Sequence, residues 1–276
     1  MVCRAEGDRH LLIEYGPSTL DLSLIDLELR VRLYALEERL RAAVLPGILD
    51  ITPGVRTLQI HYDRRVLSRD HLLEAVDACE NEIPDAGTMG LPSRIVHLPL
   101  SWDDPAIRPA LGRRNGNGLS SLDDVHRRMH EATYLVLAVG GASLGAPVAA
   151  ALDPRHRVVT KPFMPARVST PEGAVGLGGR YLRVYGSEGP GGDQLIGRTL
   201  QMWNTFGTTA EFQPGAPWLL RCFDQIRFFP VSAGELFEIR DAFPHGRYPL
   251  RIDHRQFRLD DVAAASEPAV RVSSKS

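Results

Sequence analysis

The chain has 276 residues, of which 43% are hydrophobic and 24% are charged, a composition typical of a globular protein that buries a core. Lys and Arg total 32 against 34 Asp and Glu, so charge offers no basis for a nucleic-acid partner or an anionic membrane surface. The N-terminal residues lack the apolar core of a signal peptide, and no apolar run reaches the roughly 18 residues of a membrane span. These features predict a cytoplasmic protein.

Cysteine and histidine give no sign of a metal or disulfide framework. Cys3, Cys79 and Cys222 are widely separated and form no C-x-x-C pair, which argues against both a disulfide scaffold and a cysteine-rich zinc site. The nine histidines show no ligand spacing such as H-E-x-x-H. We therefore expect a metal-free protein.

The N-terminal region begins with a short apolar run, "HLLIEYG", which predicts a strand. Leucines then recur every three or four residues through "LELRVRLYALEERLRAAV", which predicts an amphipathic helix with its charged side in water. Pro46-Gly47 ends this helix.

"ILDIT" and "RTLQIHYD" follow on either side of Pro53-Gly54 and alternate apolar and polar residues, as in a hairpin with one buried face. Ser68 is placed to cap a second helix in "SRDHLLEAVDAC". The order strand, helix, strand, strand, helix predicts a small α+β lobe of the ferredoxin-like class over residues 1–90.

A Gly- and Pro-rich stretch at residues 83–93 is the predicted linker to a β-rich region. One helical stretch, "SLDDVHRRMHEA", interrupts this region. The predicted strands are "RIVHLPLSW", "TYLVLAVG", "HRVVT", "GAVGLGG", "YLRVYG" and "QIRFFPV". This spacing favours a closed or strongly curved β-barrel over residues 91–250. Residues 251–276 are predicted to form a C-terminal extension that is partly disordered.

A glycine-rich stretch, "GPGGDQLIGRT", comes close to the phosphate-loop pattern G-x-x-x-x-G-K-[ST], with Arg198 in place of the lysine. A phosphate loop also needs a helix directly after it, and "LQMWNTFGTT" is a poor helix former. The alternative is that the glycines allow tight turns at a barrel corner. The polar residues that follow at once, Gln194, Arg198 and Thr199, suit a planar, oxygen-rich group, because arginine offers a rigid two-pronged donor.

The chain resembles a known family over roughly residues 10–250. "EGPGGDQLIGRTLQMWN" is similar to the signature of the carboxyltransferase domain of urea carboxylase, in the half also called allophanate hydrolase subunit 1 or the kinase-inhibitor-type domain. Further matching segments occur in the family's order: "PGILDITPGVRTLQIHYD", "PSRIVHLPLSWDDPAI", "LGAPVAAALDPRHRVV", "PARVSTPEGAVGLGG" and "PWLLRCFDQIRFFPVSAGEL".

The resemblance implies a ferredoxin-like lobe followed by a cyclophilin-like β-barrel. It also implies one half of a biotin-dependent carboxyltransferase, with the active site shared with a homologous second half. Biotin arrives carboxylated on a separate carrier domain or protein, and its carboxylate moves to an amide-type nitrogen of urea or a relative. On this basis the glycine loop is a barrel turn beside that site.

The resemblance also implies which residues form the site. His156, Gln194 and Arg198 are the implied catalytic residues. The residues implied to bind substrate or biotin are Arg155, Lys161, Arg167, Gly191, Gly192 and Asp193.

Several of these residues have a structural alternative. Arg155 and Arg167 could pair with surface carboxylates, and His156 could be a structural histidine. Asp224 and Arg227 are expected to form a structural pair or an interface contact. The tryptophans Trp102, Trp203 and Trp218 are expected to be core or partner-facing bulk.

The sequence departs from the family's pattern at polar positions. Gly141 and Ser143 replace an acidic and an aromatic residue, Pro162 takes a lysine position, Met164 replaces asparagine and Asp193 replaces tyrosine. A substrate-recognition segment that precedes N-G-L in the family is also missing before Asn117-Gly118-Leu119.

These departures leave two alternative functions open. One is a catalytically degenerate scaffold or a regulatory binder of another protein, as in the kinase-inhibitor branch. The other is a subunit of an ATP-dependent 5-oxoprolinase or allophanate hydrolase.

Overall fold

The structure is a computed structural model that describes residues 1–16, 25–108, 121–140, 146–161, 164–204, 209–212 and 216–266. Two lobes follow one another along the chain. The first is built on a four-stranded antiparallel sheet in the order β1-β2-β4-β3. Its elements are β1 (Val2–Glu6), β2 (His10–Glu14), α1 (Leu27–Ala42), β3 (Ile48–Pro53), β4 (Thr57–Tyr62) and α2 (Arg69–Asn81).

Local sequence signals explain most of the first lobe. The Ser68 side chain accepts a hydrogen bond from the His71 backbone N–H at the start of α2, which confirms the predicted cap. Strand β4 buries every second residue, Leu58, Ile60 and Tyr62. This buried face packs against Leu33 and other apolar residues of the helices to form the core of the lobe.

The prediction that the charged side of α1 lies in water is wrong for two residues. Arg30 is 1% exposed and Glu37 is 7% exposed. The reason is that α1 has two packing faces. Its second face, including Val31 and Tyr34, packs against the second lobe, at Leu135 and Phe223 among other residues.

The second lobe contains an eight-stranded sheet in the order β12-β9-β10-β7-β6-β13-β5-β14 and a two-stranded sheet of β11 and β8. Only β13 and β5 run parallel among the described pairs. The strands are β5 (Leu91–Leu100), β6 (Tyr134–Val139), β7 (Pro147–Ala151), β8 (Arg167–Thr170), β9 (Ala174–Gly178), β10 (Tyr181–Val184), β11 (Gly189–Gly191), β12 (Gln194–Arg198), β13 (Gln225–Pro230) and β14 (Ile252–Phe257). The helices are α3 (Leu122–Glu131), α4 (Ala233–Ala242) and α5 (Leu259–Ser266).

The larger sheet is covered on both faces. In β6, Tyr134 and Val136 point into the main core of the second lobe, whereas Leu135 and Leu137 point towards α1. Because side chains alternate along a strand, β6 contributes one face to the core of the second lobe and the other face to the contact with the first lobe.

The mixed α+β class is confirmed, but closure of the larger sheet into a barrel is not. In the part of the chain that the structure describes, edge strand β12 meets the end of β5 through a single antiparallel bridge, between Arg198 and Ser101. Both backbone hydrogen bonds of that bridge form, at 2.9 and 2.8 Å. The larger sheet is thus strongly curved, and its edge strand β12 is joined to the end of β5 at this one bridge.

Several elements differ from the sequence predictions. "HRVVT" forms no strand; Pro154–His156 form a 3₁₀ turn capped by Asp153. Strand β5 begins at Leu91, inside the predicted linker. Residues 252–257, assigned to a C-terminal extension, form β14 and pair with β5. Among the described residues, each helix is too short or too polar to reach across a bilayer.

Candidate functional site

Six of the nine implied site residues lie at one corner, where β8, β11 and the start of β12 meet. Gln194 is buried, and its side-chain Nε2 donates to the Lys161 carbonyl at 3.0 Å. The Lys161 side chain is exposed, and its ammonium makes no hydrogen bond or ion pair with the described residues. The corner therefore combines an exposed lysine with a buried amide that the backbone carbonyl of the same lysine holds in place. Its members are Lys161, Arg167, Gly191, Gly192, Asp193 and Gln194.

Gly191 allows the backbone of this corner to pack closely. A Cβ at position 191 would lie 2.6 Å from the Thr170 hydroxyl oxygen and would collide with the Tyr185 hydroxyl. A larger residue would therefore push β11 away from β8 and β10. The predicted role of the glycines in a tight corner has a clear steric basis at this position.

Asp193 is the best-connected side chain of the corner. It is 5% exposed; one carboxylate oxygen accepts from Arg183 at 2.6 Å and the other from the Tyr185 hydroxyl at 2.9 Å. Arg167 donates to the Asp193 carbonyl. Burial, followed by the Asp193 charge, raises the pKa of Tyr185 to about 12. This carboxylate thus fixes the turn that presents Gln194.

Arg198 lies apart from this corner, at the far end of β12. Its Nε donates to the Glu172 carbonyl at 2.9 Å, and its Nη1 lies 3.4 Å from the Asp104 carboxylate. Glu172 also pairs with Arg240. The Arg198 guanidinium is therefore engaged in a network of ion pairs. Because Gln194–Arg198 is an edge strand and no helix follows it directly, the phosphate-loop interpretation is excluded.

Arg155 and His156 lie in the 3₁₀ turn after β7 and line a cleft of about 510 Å³. Arg155 is exposed and pairs with Asp153 at 2.5 Å; this hydrogen bond lowers the pKa of Asp153 to about 2. The His156 Nε2 lies 3.8 Å from the Glu131 carboxylate. The other seven implied residues do not line this cleft. The nine residues thus form three groups.

Three exposed apolar residues lie close to Lys161 in sequence. Val159, Met164 and Val168 are 52%, 81% and 91% exposed, and all three lie within ten residues of chain that also carry Lys161 and Arg167. Adjacent exposed apolar side chains are typical of surfaces that another protein covers. We call these three residues the apolar rim.

Sequence reasoning missed the partners of Asp193 and misassigned those of Asp224. Arg183 and Tyr185 are two residues apart in "YLRVYG", so they lie on the same face of an extended chain. This spacing could have predicted a polar face beside Asp193. Asp224 pairs with Arg94, and Arg227 donates to Thr133 at 3.0 Å. The predicted pairing of Asp224 with Arg227 is therefore wrong.

Some predicted positions fall outside the described residues: Gly141, Ser143, Pro162 and the Asn117-Gly118-Leu119 segment. Of the tryptophans, Trp102 packs against the main core of the second lobe. Trp203 and Trp218 line a second, larger cleft between the lobes.

Comparisons with known proteins place the chain in a family. The model of the carboxyltransferase domain, subdomains C and D, matches residues 1–213. The urea amidolyase of Lachancea kluyveri is 32% identical over 272 residues, which cover 92% of this chain and 14% of that protein. One of the 5-oxoprolinase subunits of Escherichia coli O157:H7 is 25% identical over 237 residues, which cover 84% of this chain and 97% of that protein.

A solved structure agrees with these sequence relationships. The crystal structure of Kluyveromyces lactis urea carboxylase superposes with a TM-score of 0.82 at 30% identity, covering 95% of this chain and 24% of that one. The chain thus corresponds to a small part of the urea amidolyase and of the urea carboxylase. With its matching sequence and superposable fold, the chain belongs to the carboxyltransferase domain family, subdomains C and D, found in urea carboxylase-like proteins.

Proposed function

We propose that this chain is one half of a cytoplasmic, biotin-dependent carboxyltransferase that transfers a carboxylate to an amide-type nitrogen. The acceptor would be urea, guanidine or a related small amide, in a site shared with a homologous second half. Family membership and similarity to a urea amidolyase over 92% of the chain support this proposal. The ferredoxin-like and cyclophilin-like descriptions of the two lobes, with the boundary between them near residue 90, form part of it.

The donors at the Lys161 corner suit this chemistry. Biotin carried on another domain would supply a transferable carboxylate. The exposed Lys161 ammonium could pair with a carboxylate, and the buried Gln194 amide is held by a hydrogen bond to the Lys161 carbonyl. Fixed donors of this kind stabilise negative charge as it develops, because they need no reorganisation during the reaction. Arg167 and Asp193 would act mainly by positioning the turn.

A general base would help because an amide nitrogen is a poor nucleophile. His156 is the implied candidate, and it lies in the neighbouring cleft with Arg155 rather than at the Lys161 corner. The second half would therefore have to bring the acceptor between the two groups.

The observation that carries the proposal is the apolar rim beside Lys161. Val168 is 91% exposed and Met164 is 81% exposed, next to a lysine without a partner among the described residues. A site completed by a second protein predicts this combination of uncovered apolar surface and unpaired donor.

The engaged arginines favour a second candidate, a non-catalytic scaffold or regulatory binder. Arg198 and Arg155 both make ion pairs within the chain, so two implied donors are already occupied. A different observation favours the 5-oxoprolinase alternative. The sequence match to the 5-oxoprolinase subunit from Escherichia coli covers 97% of that subunit.

The test is to combine the full chain with its homologous second half and carboxylated biotin. We expect loss of carboxylate to accelerate when urea, guanidine or another amide is added. Lys161→Ala and Gln194→Ala should each lower that rate by about 100- to 1000-fold, whereas Arg247→Gln, on the surface, should not.

Tight assembly without turnover on any acceptor would refute the transferase and support the scaffold. Hydrolysis of 5-oxoproline that depends on ATP and on the second half would support the oxoprolinase instead.

A further inference from the structure

A cleft of about 810 Å³ lies between the two lobes, away from the Lys161 corner. One wall comes from α1 and β3 of the first lobe, and the other from β5, β14 and the chain around Trp203, Trp218 and Arg221. Its volume falls within the range of roughly 300–1,000 Å³ that is usual for small-molecule sites.

A buried ion pair explains the charge of the second-lobe wall. The Arg94 Nε lies 3.0 Å from one Asp224 oxygen, and its Nη2 lies 2.5 Å from the other. The side chains are 6% and 3% exposed. Asp224 is thus held by the Arg94 guanidinium and by the Arg221 backbone N–H, and it forms no direct ion pair with the Arg221 guanidinium.

Arg221 is a cation on the wall of the cleft whose guanidinium has no direct ion-pair partner in the described part of the chain. Its backbone N–H donates to Asp224 at 2.8 Å, but its guanidinium makes no hydrogen bond or ion pair with the described residues. Burial and then the neighbouring Arg94 lower the pKa of Arg221, and the Asp224 charge partly opposes them. An anion in the cleft would offset both effects, since a partly buried charge is costly unless it is paired.

A second cation, Arg30 of α1, is buried between the two lobes beside the cleft. Arg30 is 1% exposed, and both of its Nη atoms are buried without a hydrogen-bond partner among the described residues. Its Nε donates to the Leu137 carbonyl at 2.5 Å. Cys222, which lines the cleft, has its pKa raised by burial, and Arg30 opposes that shift. Arg30 thus adds positive potential beside the cleft.

The opposite wall and the aromatic rings restrict the ligand further. Glu37 pairs with Arg41 at 3.0 Å, whereas Glu38 and Asp50 are exposed carboxylates on the same wall. They would repel a doubly charged phosphate more strongly than a single carboxylate. On the second-lobe wall, the rings of Trp203 and Trp218 lie 6.0 Å apart at 42° and offer flat apolar surface.

We propose that this cleft binds a small planar carboxylate. The two carboxylate oxygens would accept from the Arg221 guanidinium, whose planar donors match them, and the flat body of the ligand would pack on Trp203 and Trp218. Nothing in this proposal depends on carboxyl transfer at the Lys161 corner.

The test titrates the full chain with benzoate and follows tryptophan fluorescence. We expect saturable quenching by benzoate, weaker binding as ionic strength rises, and little response to benzamide, which has the same shape but no charge. Arg221→Gln should weaken benzoate binding by about tenfold or more, because a charge-assisted hydrogen bond is lost. Trp218→Phe should reduce the quenching.

Two further variants separate binding from folding. Arg221→Lys keeps the charge but loses the paired donors, and its affinity should lie between those of the wild type and Arg221→Gln. Arg247→Gln, which removes an exposed arginine paired with Asp241, should bind benzoate as the wild type does. Equal responses to benzoate and benzamide, no saturable quenching, or unchanged affinity in both Arg221 variants would overturn the proposal.

Discussion

Gly178→Ala is a sharp perturbation of the corner that presents Gln194. A Cβ at position 178 would collide with an Asp193 carboxylate oxygen, and it would lie 3.1 Å from the Asp193 Cγ and 2.5 Å from the Arg183 Nη1. The Arg183 side chain is 40% exposed and can move aside. Asp193 is 5% exposed and cannot move without losing its hydrogen bond from Tyr185.

The expected cost follows from these contacts. Overpacking a buried site costs about 1–3 kcal/mol, and replacing glycine in a strand returns about 0.5–1 kcal/mol. We expect Gly178→Ala to lower the free energy of unfolding by up to about 2.5 kcal/mol as the difference of these terms. Asp193→Ala should cost about 1–3 kcal/mol, because it leaves the buried Tyr185 hydroxyl without its acceptor.

The two changes should not be additive. In an Asp193→Ala background the collision is gone, so adding Gly178→Ala should stabilise the chain by about 0.5–1 kcal/mol. Urea denaturation of the wild type, both single variants and the double variant would then give a coupling energy of about 1 kcal/mol or more. Gly189→Ala is the matched control, because a Cβ there meets nothing within 4 Å. Additivity within about 0.5 kcal/mol would refute this account of the corner.

Three other predictions concern the buried ion pair, the apolar rim and the response to acid. Asp224→Asn should lower the free energy of unfolding by about 3–5 kcal/mol, because it leaves Arg94 buried without a counter-ion; a loss under about 1 kcal/mol in urea denaturation would contradict this. Val168→Asp should weaken assembly with the second half at least about tenfold in a binding titration without lowering the unfolding midpoint, and unchanged affinity would remove Val168 from the interface. Asp153 has its pKa lowered to about 2 in the folded chain from an ordinary 3.8, so its contribution is present above about pH 4 and lost as pH falls towards 2. Asp153→Asn should therefore flatten the pH dependence of stability in that window, and an unchanged slope would show that Arg155 does not hold this carboxylate.

Elements with a strong local pattern could be predicted from the sequence. Leucines at helical spacing indicated α1, and the alternation in "RTLQIHYD" indicated β4, because period and capping depend on neighbouring residues. "HRVVT" was misjudged on its β-branched composition. A 3₁₀ turn takes the first residue of this segment, and its last residue, Thr160, makes only an isolated bridge to Gly179.

The contacts that shape the inter-lobe cleft are mostly non-local. Arg94 and Asp224 are 130 residues apart in sequence, and they meet because β5 and β13 become neighbours. Arg30 follows a polar helical pattern, yet it is buried because α1 has a sheet on each side. No single-sequence pattern specifies which strands pair, so the inter-lobe cleft could not be predicted. The family motifs did bring six of the implied residues to one corner.

The most direct test of the proposed function is to follow labelled carboxylate from biotin to a nitrogen acceptor. The full chain, its homologous second half and carboxylated biotin would be incubated with urea, guanidine or a small amide, and the N-carboxylated product measured. The account predicts labelled product that requires both halves and falls strongly in Lys161→Ala. Stable assembly of both halves with no labelled product on any acceptor would contradict it.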